Sequence, residues 1–189
     1  DKVHIIAHSK GGIDARYMIT HLGYGDRVAT LVTIATPHRG TVLAELFLEY
    51  LGPASEAAEE VVNSFANVIG DSQPQSKEVL QQMTRESMAR FNEETPDDPR
   101  VRYISYAGRI DWRYLDPVYA QMSQLIASYE GPNDGVVSVS SAKWGEFGGV
   151  VNEIYDRTQV NHGDMVGDNE LWNNMGFPFR RFFIDIALQ

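Results

Sequence analysis

The chain contains no cysteine. Disulfides, a thiol nucleophile and zinc–thiolate centres are therefore excluded, although no compartment follows, since secreted bacterial enzymes can lack disulfides. Basic residues are scarce: 16 Lys and Arg stand against 26 Asp and Glu, a formal net charge of −10. That balance disfavours nucleic acid and anionic membrane surfaces as partners. No apolar run reaches the roughly 18 residues that a membrane-spanning helix needs. Internal repeats, low-complexity tracts and a secretory signal pattern are also missing. What is present is 189 residues, enough for one well-buried domain over 1–189.

Strand-like and helix-like segments alternate along that length. Val3–Ala7 and Val28–Ile34 are short, apolar and rich in β-branched residues, as buried parallel strands are. Val101–Ala107 and Gly149–Tyr155 read as a third and a fourth strand. Gly12–His21 has the composition of a helix closed by Gly23, and Val42–Leu51 that of a helix stopped by Gly52-Pro53. Ser55 can cap a helix over Glu56–Ile69, whose Ala58, Val61, Val62, Phe65 and Ile69 fall on one face. A further helix is expected from about Lys77 to Asn92, and a last one from Pro178 to Leu188. Tyr119–Ser128 is ambiguous. Gly131-Pro132-Asn133-Asp134-Gly135 is a strong turn, followed by a short extended piece at Val136–Val139. The alternation predicts an α/β fold with a mostly parallel sheet flanked by helices.

The most informative residues are Ala7-His8-Ser9-Lys10-Gly11, between the first strand and the first helix. A small residue, then x-Ser-x-Gly, at a strand-to-helix turn is a nucleophile elbow, in which the serine hydroxyl stands clear of a sharp backbone turn. Residues two before and two after the serine, Ala7 and Gly11, are expected to be small because the chain doubles back there. The first N–H groups of the following helix favour a developing oxyanion. Such a serine needs a base, and the base needs an acid to orient it; in this fold they follow in the order Ser, Asp or Glu, His. Of the five histidines, His4 lies within a strand and His8 should point away from its neighbour Ser9. His21 ends a helix, and His38 comes too early. His162, in the loop Val160-Asn161-His162-Gly163-Asp164, has the required position. Upstream, Asp134 sits in a tight Asn-Asp-Gly loop where backbone N–H groups can hold a carboxylate. Ser140-Ser141-Ala142-Lys143 contains Ser-x-x-Lys, but no Lys-Thr-Gly or Ser-Asp-Asn accompanies it.

These segments carry a resemblance. Ile5-Ile6-Ala7-His8-Ser9-Lys10-Gly11-Gly12 with Ala15-Arg16-Tyr17 is similar to the elbow of bacterial triacylglycerol lipases of the Pseudomonas/Burkholderia and Proteus type. Thr36-Pro37-His38-Arg39-Gly40-Thr41, Asn133-Asp134-Gly135-Val136-Val137-Ser138 and Asn161-His162-Gly163-Asp164 resemble them too, in the same order. The resemblance implies an α/β-hydrolase fold acting on carboxylic esters, with Ser9 as nucleophile, His162 as general base and acid, Asp134 as orienting carboxylate, and the Lys10 backbone N–H in the oxyanion hole. It further implies a lipid or ester substrate at an oil–water interface, a secreted monomer and, for some members, a dedicated foldase. Ala7 replaces the commoner glycine, as in thermophilic Bacillus-type lipases. The other oxyanion donor of these lipases lies in a His-Gly loop after an earlier strand, and no such loop occurs here. Together with an elbow strand at the very start, that predicts N-terminal strands upstream of Asp1.

The resemblance also implies a structural Ca²⁺ beside the histidine loop, held by Asp116, Asp164, Asp168 and the backbone carbonyl of Trp172. Hard oxygen ligands suit that ion. Residues 42–92 are expected to form a helical lid or cap insertion, with the Glu56–Ile69 helix covering the site. Two alternatives stay open: an esterase or acyltransferase of the same fold acting on soluble esters, and a non-catalytic lipid-binding or scaffold protein built on it.

Overall fold

The computed structural model describes residues 1–50, 76–111, 113, 117–167 and 176–189. Among them, four parallel strands form one sheet in chain order: β1 (Val3–His8), β2 (Val28–Ile34), β3 (Arg102–Ala107) and β4 (Glu146–Val150). Parallel neighbours need crossovers, and helices supply them. Helix α1 (Lys10–His21) lies between β1 and β2. Between β2 and β3 come α2 (Val42–Tyr50), α3 (Ser76–Gln82) and α4 (Arg85–Glu94). Between β3 and β4 come α5 (Pro117–Glu130) and the single turn α6 (Val139–Ala142). The turn α7 (Val151–Ile154) and helix α8 (Phe179–Ala187) follow β4.

The period-2 alternation of the strands divides the core between the two faces of the sheet. Leu31 and Tyr103 point to one face and meet Ala15 and Ile19 of α1. Val32, Ile34, Ile104 and Tyr106 point to the other and meet Phe182 and Ile186 of α8. Phe182 is edge-on to both Tyr106 and Phe177, at 5.2 and 5.7 Å between ring centroids. Each such pair adds about 0.5–1.5 kcal/mol beyond the area it buries. A third cluster joins Val42 and Leu43 of α2 to Leu80, Ile126, Val136 and Val137.

The structure departs from the sequence expectations in three places. The expected fourth strand at 149–155 lies earlier, at Glu146–Val150, and Val151–Ile154 is a helical turn. Its glycines are what admit it to the sheet: a Cβ on Gly148 would sit 2.4 Å from the Tyr106 ring, and Gly149 adopts a φ of 126°. The helix expected over 77–92 is two helices. Thr84 interrupts it with an extended backbone (φ −64°, ψ 152°) and accepts the Ser87 N–H at 3.1 Å, an N-cap worth about 1 kcal/mol. The expected extended piece at 136–139 is not a strand: Ser138 alone makes an isolated bridge, to Asn133, and caps α6, which begins at Val139. Tyr119–Ser128, ambiguous in sequence, is helical within α5. The Glu56–Ile69 helix lies outside the described residues, as does its role as a lid within 42–92. No helix among the described residues is long and apolar enough to cross a membrane.

Candidate active site

Ser9 occupies the single-residue turn between β1 and α1, with φ 52° and ψ −134°. A left-handed φ in a residue with a Cβ costs on the order of 1–3 kcal/mol and persists only where surroundings enforce it. Here the Ser9 N–H donates to the Ile34 carbonyl at 2.9 Å, and its carbonyl accepts the Gly12 N–H at 3.1 Å. Ala35 ends the neighbouring strand with a similar φ of 50°. The close approach of helix to sheet occurs at Gly12, where a Cβ would lie 2.2 Å from Thr36 Oγ1. This corrects the expectation for Gly11: a Cβ there would meet nothing within 4 Å. Lys10 begins α1, so its N–H is among those with no partner inside the helix and points to the Ser9 end.

Asp134 and His162 form a buried pair, 1% and 0% exposed. His162 Nδ1 lies 2.8 Å from Asp134 Oδ2, and the His162 N–H donates to the Asp134 carbonyl at 3.1 Å. The other carboxylate oxygen, Oδ1, accepts the N–H groups of Val136 and Val137 at 2.9 and 2.7 Å. Asn133 sets up this turn by accepting the Gly135 N–H and donating to the carbonyls of Ser123 and Gly131. A carboxylate held this way stays an acceptor, so Nδ1 carries the proton and Nε2 presents its lone pair. Ser9 Oγ and His162 Nε2 are both buried and without a hydrogen-bond partner among the described residues. His8 joins the two loops, its ring 4.5 Å from that of His162 and its Nε2 donating to the His162 carbonyl at 3.0 Å.

Asp164, two residues beyond His162, is buried, and its Oδ2 accepts the Asn161 N–H at 2.9 Å. A buried hard oxygen donor in the histidine loop fits one ligand of a Ca²⁺ site. Asp116, Asp168 and Trp172 lie outside the described residues. Among the described residues no group of three His, Asp or Glu side chains is placed to hold a metal ion.

The remaining histidines serve other ends. His4 is exposed on β1. His21 Nε2 lies 3.0 Å from Thr95 Oγ1. His38 belongs to a buried polar cluster behind the elbow helix, which the sequence did not reveal. Arg16, 1% exposed, donates to Asn92 Oδ1 at 2.7 Å and to the Thr95 carbonyl at 3.1 Å, and its guanidinium sits 3.7 Å over the Trp144 ring. His38 Nε2 lies 3.0 Å from Thr33 Oγ1, and its ring stacks on Trp144. Burial, then the charges of Arg16 and Arg39, hold His38 well below its ordinary pKa, so it is neutral. The only sequence signal was the position of Arg16 and His38 inside motifs whose serine drew the attention. A groove also opens beside Lys10, between α1 and α3–α4, over Ile13, Tyr17, Met83, Met88 and Phe91.

Residues 1–146 match the family of PGAP1-like alpha/beta domains. The chain is 32% identical to triacylglycerol lipase 2 of Saccharomyces cerevisiae, over 89% of its own length and 50% of that protein. It is 26% identical to a triacylglycerol lipase of Vibrio cholerae, over 87% of its length and 58% of that protein. The chain thus spans about half the length of these relatives. Among solved structures, its fold is similar to that of Bacillus licheniformis lipase BlEst2 in mature form (TM-score 0.66, 22% identity, covering 99% of this chain and 65% of that one). It is also similar to the metagenomic carboxyl esterase MGS0156 (TM-score 0.68, 18% identity, covering 99% and 57%). The α/β-hydrolase fold expected from the elbow is therefore the fold observed.

Proposed function

The chain belongs to the family of PGAP1-like alpha/beta domains, and from that premise we propose that it carries the serine, acid and histidine of a carboxylic ester hydrolase, in particular a triacylglycerol lipase. The observation that carries this reading is the buried Asp134–His162 pair linked through His8 to a serine on a left-handed elbow. In this mechanism Ser9 Oγ attacks the ester carbonyl while His162 Nε2 takes its proton. The carbonyl oxygen becomes an oxyanion, to which the Lys10 N–H donates. Collapse of that intermediate breaks the bond to the alcohol, which leaves with the proton from His162. Water, deprotonated by His162, then releases the acid from the acyl-enzyme and restores Ser9. Asp134 holds the Nδ1–H tautomer throughout and stabilises the imidazolium.

Asp164, with Asp116, Asp168 and the Trp172 carbonyl, would hold Ca²⁺, whose positive charge would pin the His162 loop. An extracellular site of action goes with the lipase reading, and cell fractionation of the native host checks it. The fold shared with a carboxyl esterase favours, as a second reading, hydrolysis of short soluble esters. Comparing butyrate with palmitate esters, with and without an emulsified interface, separates the two. The test of the main reading is a fluorophosphonate probe on the full chain. It should label Ser9 in the wild type and not in Ser9→Ala; absence of label, or label surviving the substitution, refutes it.

A further inference from the structure

We propose that His8, the residue immediately before the nucleophile, is a positioning residue that fixes the catalytic histidine relative to Ser9. The inference rests on the ester-hydrolase reading of the same site. The sequence predicts only that His8 points away from Ser9. In the structure it points at the loop that bears His162: its Nε2 donates to the His162 carbonyl at 3.0 Å, and the two rings approach to 4.5 Å, tilted at 47°. A carbonyl only accepts, so His8 carries its proton on Nε2. Burial and the neighbouring His162 push the His8 pKa down to about 3, so the imidazole is neutral near pH 7 and sets no cation against a developing imidazolium.

The geometry makes this contact different from ordinary packing. Asp134 restrains His162 from one side, through its carboxylate and its backbone carbonyl. Neither bond refers to Ser9, because Asp134 lies in a separate loop. His8 is covalently next to Ser9, and its own ring touches the base. The last residue of β1 and the turn that follows it therefore place a clamp on the base and the nucleophile in consecutive residues, His8 lying 154 positions upstream of the His162 to which it bonds. Misplacing a reacting group by about 1 Å costs on the order of 10²-fold in rate. A clamp of this kind acts on the rate of proton transfer and leaves substrate binding alone.

The experiment uses the full chain and p-nitrophenyl butyrate, with His8→Phe, His8→Gln and His8→Asn. Phenylalanine keeps a ring and loses the donor; glutamine places an amide N–H where Nε2 was; asparagine falls one methylene short. His8→Phe and His8→Asn should lower kcat about 10–100-fold with KM within about twofold. His8→Gln should return to within about threefold of wild type. The rate at which a fluorophosphonate labels Ser9 should follow the same order, while melting temperatures do not. Wild-type kcat in His8→Phe, or His8→Gln no better than His8→Asn, overturns the proposal. So does a loss that appears in KM or tracks the melting temperature. Should His8→Phe fail to fold, the Gln and Asn pair decides alone. A wild type that neither turns over nor labels overturns the ester-hydrolase reading instead, before any variant is compared.

Discussion

His162 is bonded to Asp134 twice, through its ring at 2.8 Å and through its backbone N–H at 3.1 Å. The Asp134 carboxylate is itself divided: one oxygen serves the imidazole, the other the N–H groups of Val136 and Val137. Two substitutions separate these roles. Asp134→Asn keeps an oxygen for the backbone and presents an N–H to Nδ1, forcing the wrong tautomer. Ester hydrolysis should fall by about 10⁴ with little change in stability. Asp134→Ala also strands two buried donors, at about 1–3 kcal/mol each. It should lose activity and lower the urea midpoint. Equal stability of the two variants would show that the Oδ1 bonds do not hold the turn.

The two glycines after the serine should respond in opposite ways. Gly11 faces open space and has helical neighbours, so Gly11→Ala is expected to be neutral or to stabilise by up to about 1 kcal/mol. Gly12→Ala drives a methyl into Thr36 and Thr33 and should destabilise by about 1–3 kcal/mol. Thermal melts of the two variants check this; a stable Gly12→Ala would mean that α1 can withdraw from the sheet.

Acid should weaken the fold through its buried neutral histidines. His38 is held well below 6.5 by burial and then by Arg16 and Arg39, and His8 is lowered to about 3. Between those folded values and about 6.5 the unfolded chain binds more protons than the native one, so stability rises with pH across that window. It is fully present above 6.5 and lost as pH falls below it, by up to about 1.4 kcal/mol per pH unit for each group. Urea unfolding between pH 7.5 and 4.5 measures the slope. His38→Gln, which no longer titrates, should flatten it by about one proton; an unchanged slope would remove His38 from the account.

Chelation tests the calcium proposal. EDTA should lower the melting temperature of the full chain, and added Ca²⁺ should restore it. In Asp164→Ala the two curves should coincide. A wild type indifferent to EDTA rules out a stabilising ion at this loop.

The strands were legible where burial wrote itself into composition. β1, β2 and β3 are β-branched or aromatic runs bounded by turn residues, and each lies within a residue or so of its expected limits. β4 was misplaced because its sequence, Glu146-Phe147-Gly148-Gly149-Val150, looks like a loop. Its glycines answer to the Tyr106 ring on the next strand, which no local window contains. The helix over 77–92 was broken by Thr84, a residue that can continue a helix or cap one. At the site, Asp134 and His162 were chosen by order and loop context, and the structure brings them into hydrogen-bonding contact. Their partnership with His8 was invisible, since 154 residues separate the bonded groups.

Residue identities and their order along the chain already determined the parallel α/β architecture, and singled out Ser9, Asp134 and His162 as the candidates for the site. These depend on local backbone preference and on motifs a few residues long. Only the tertiary structure decided which glycine the elbow needs, which way His8 turns and what surrounds Arg16 and His38. Those outcomes depend on packing distances between segments remote in sequence. A methyl's width at Gly12, or one N–H at His8, takes its meaning from the neighbour that folding places against it.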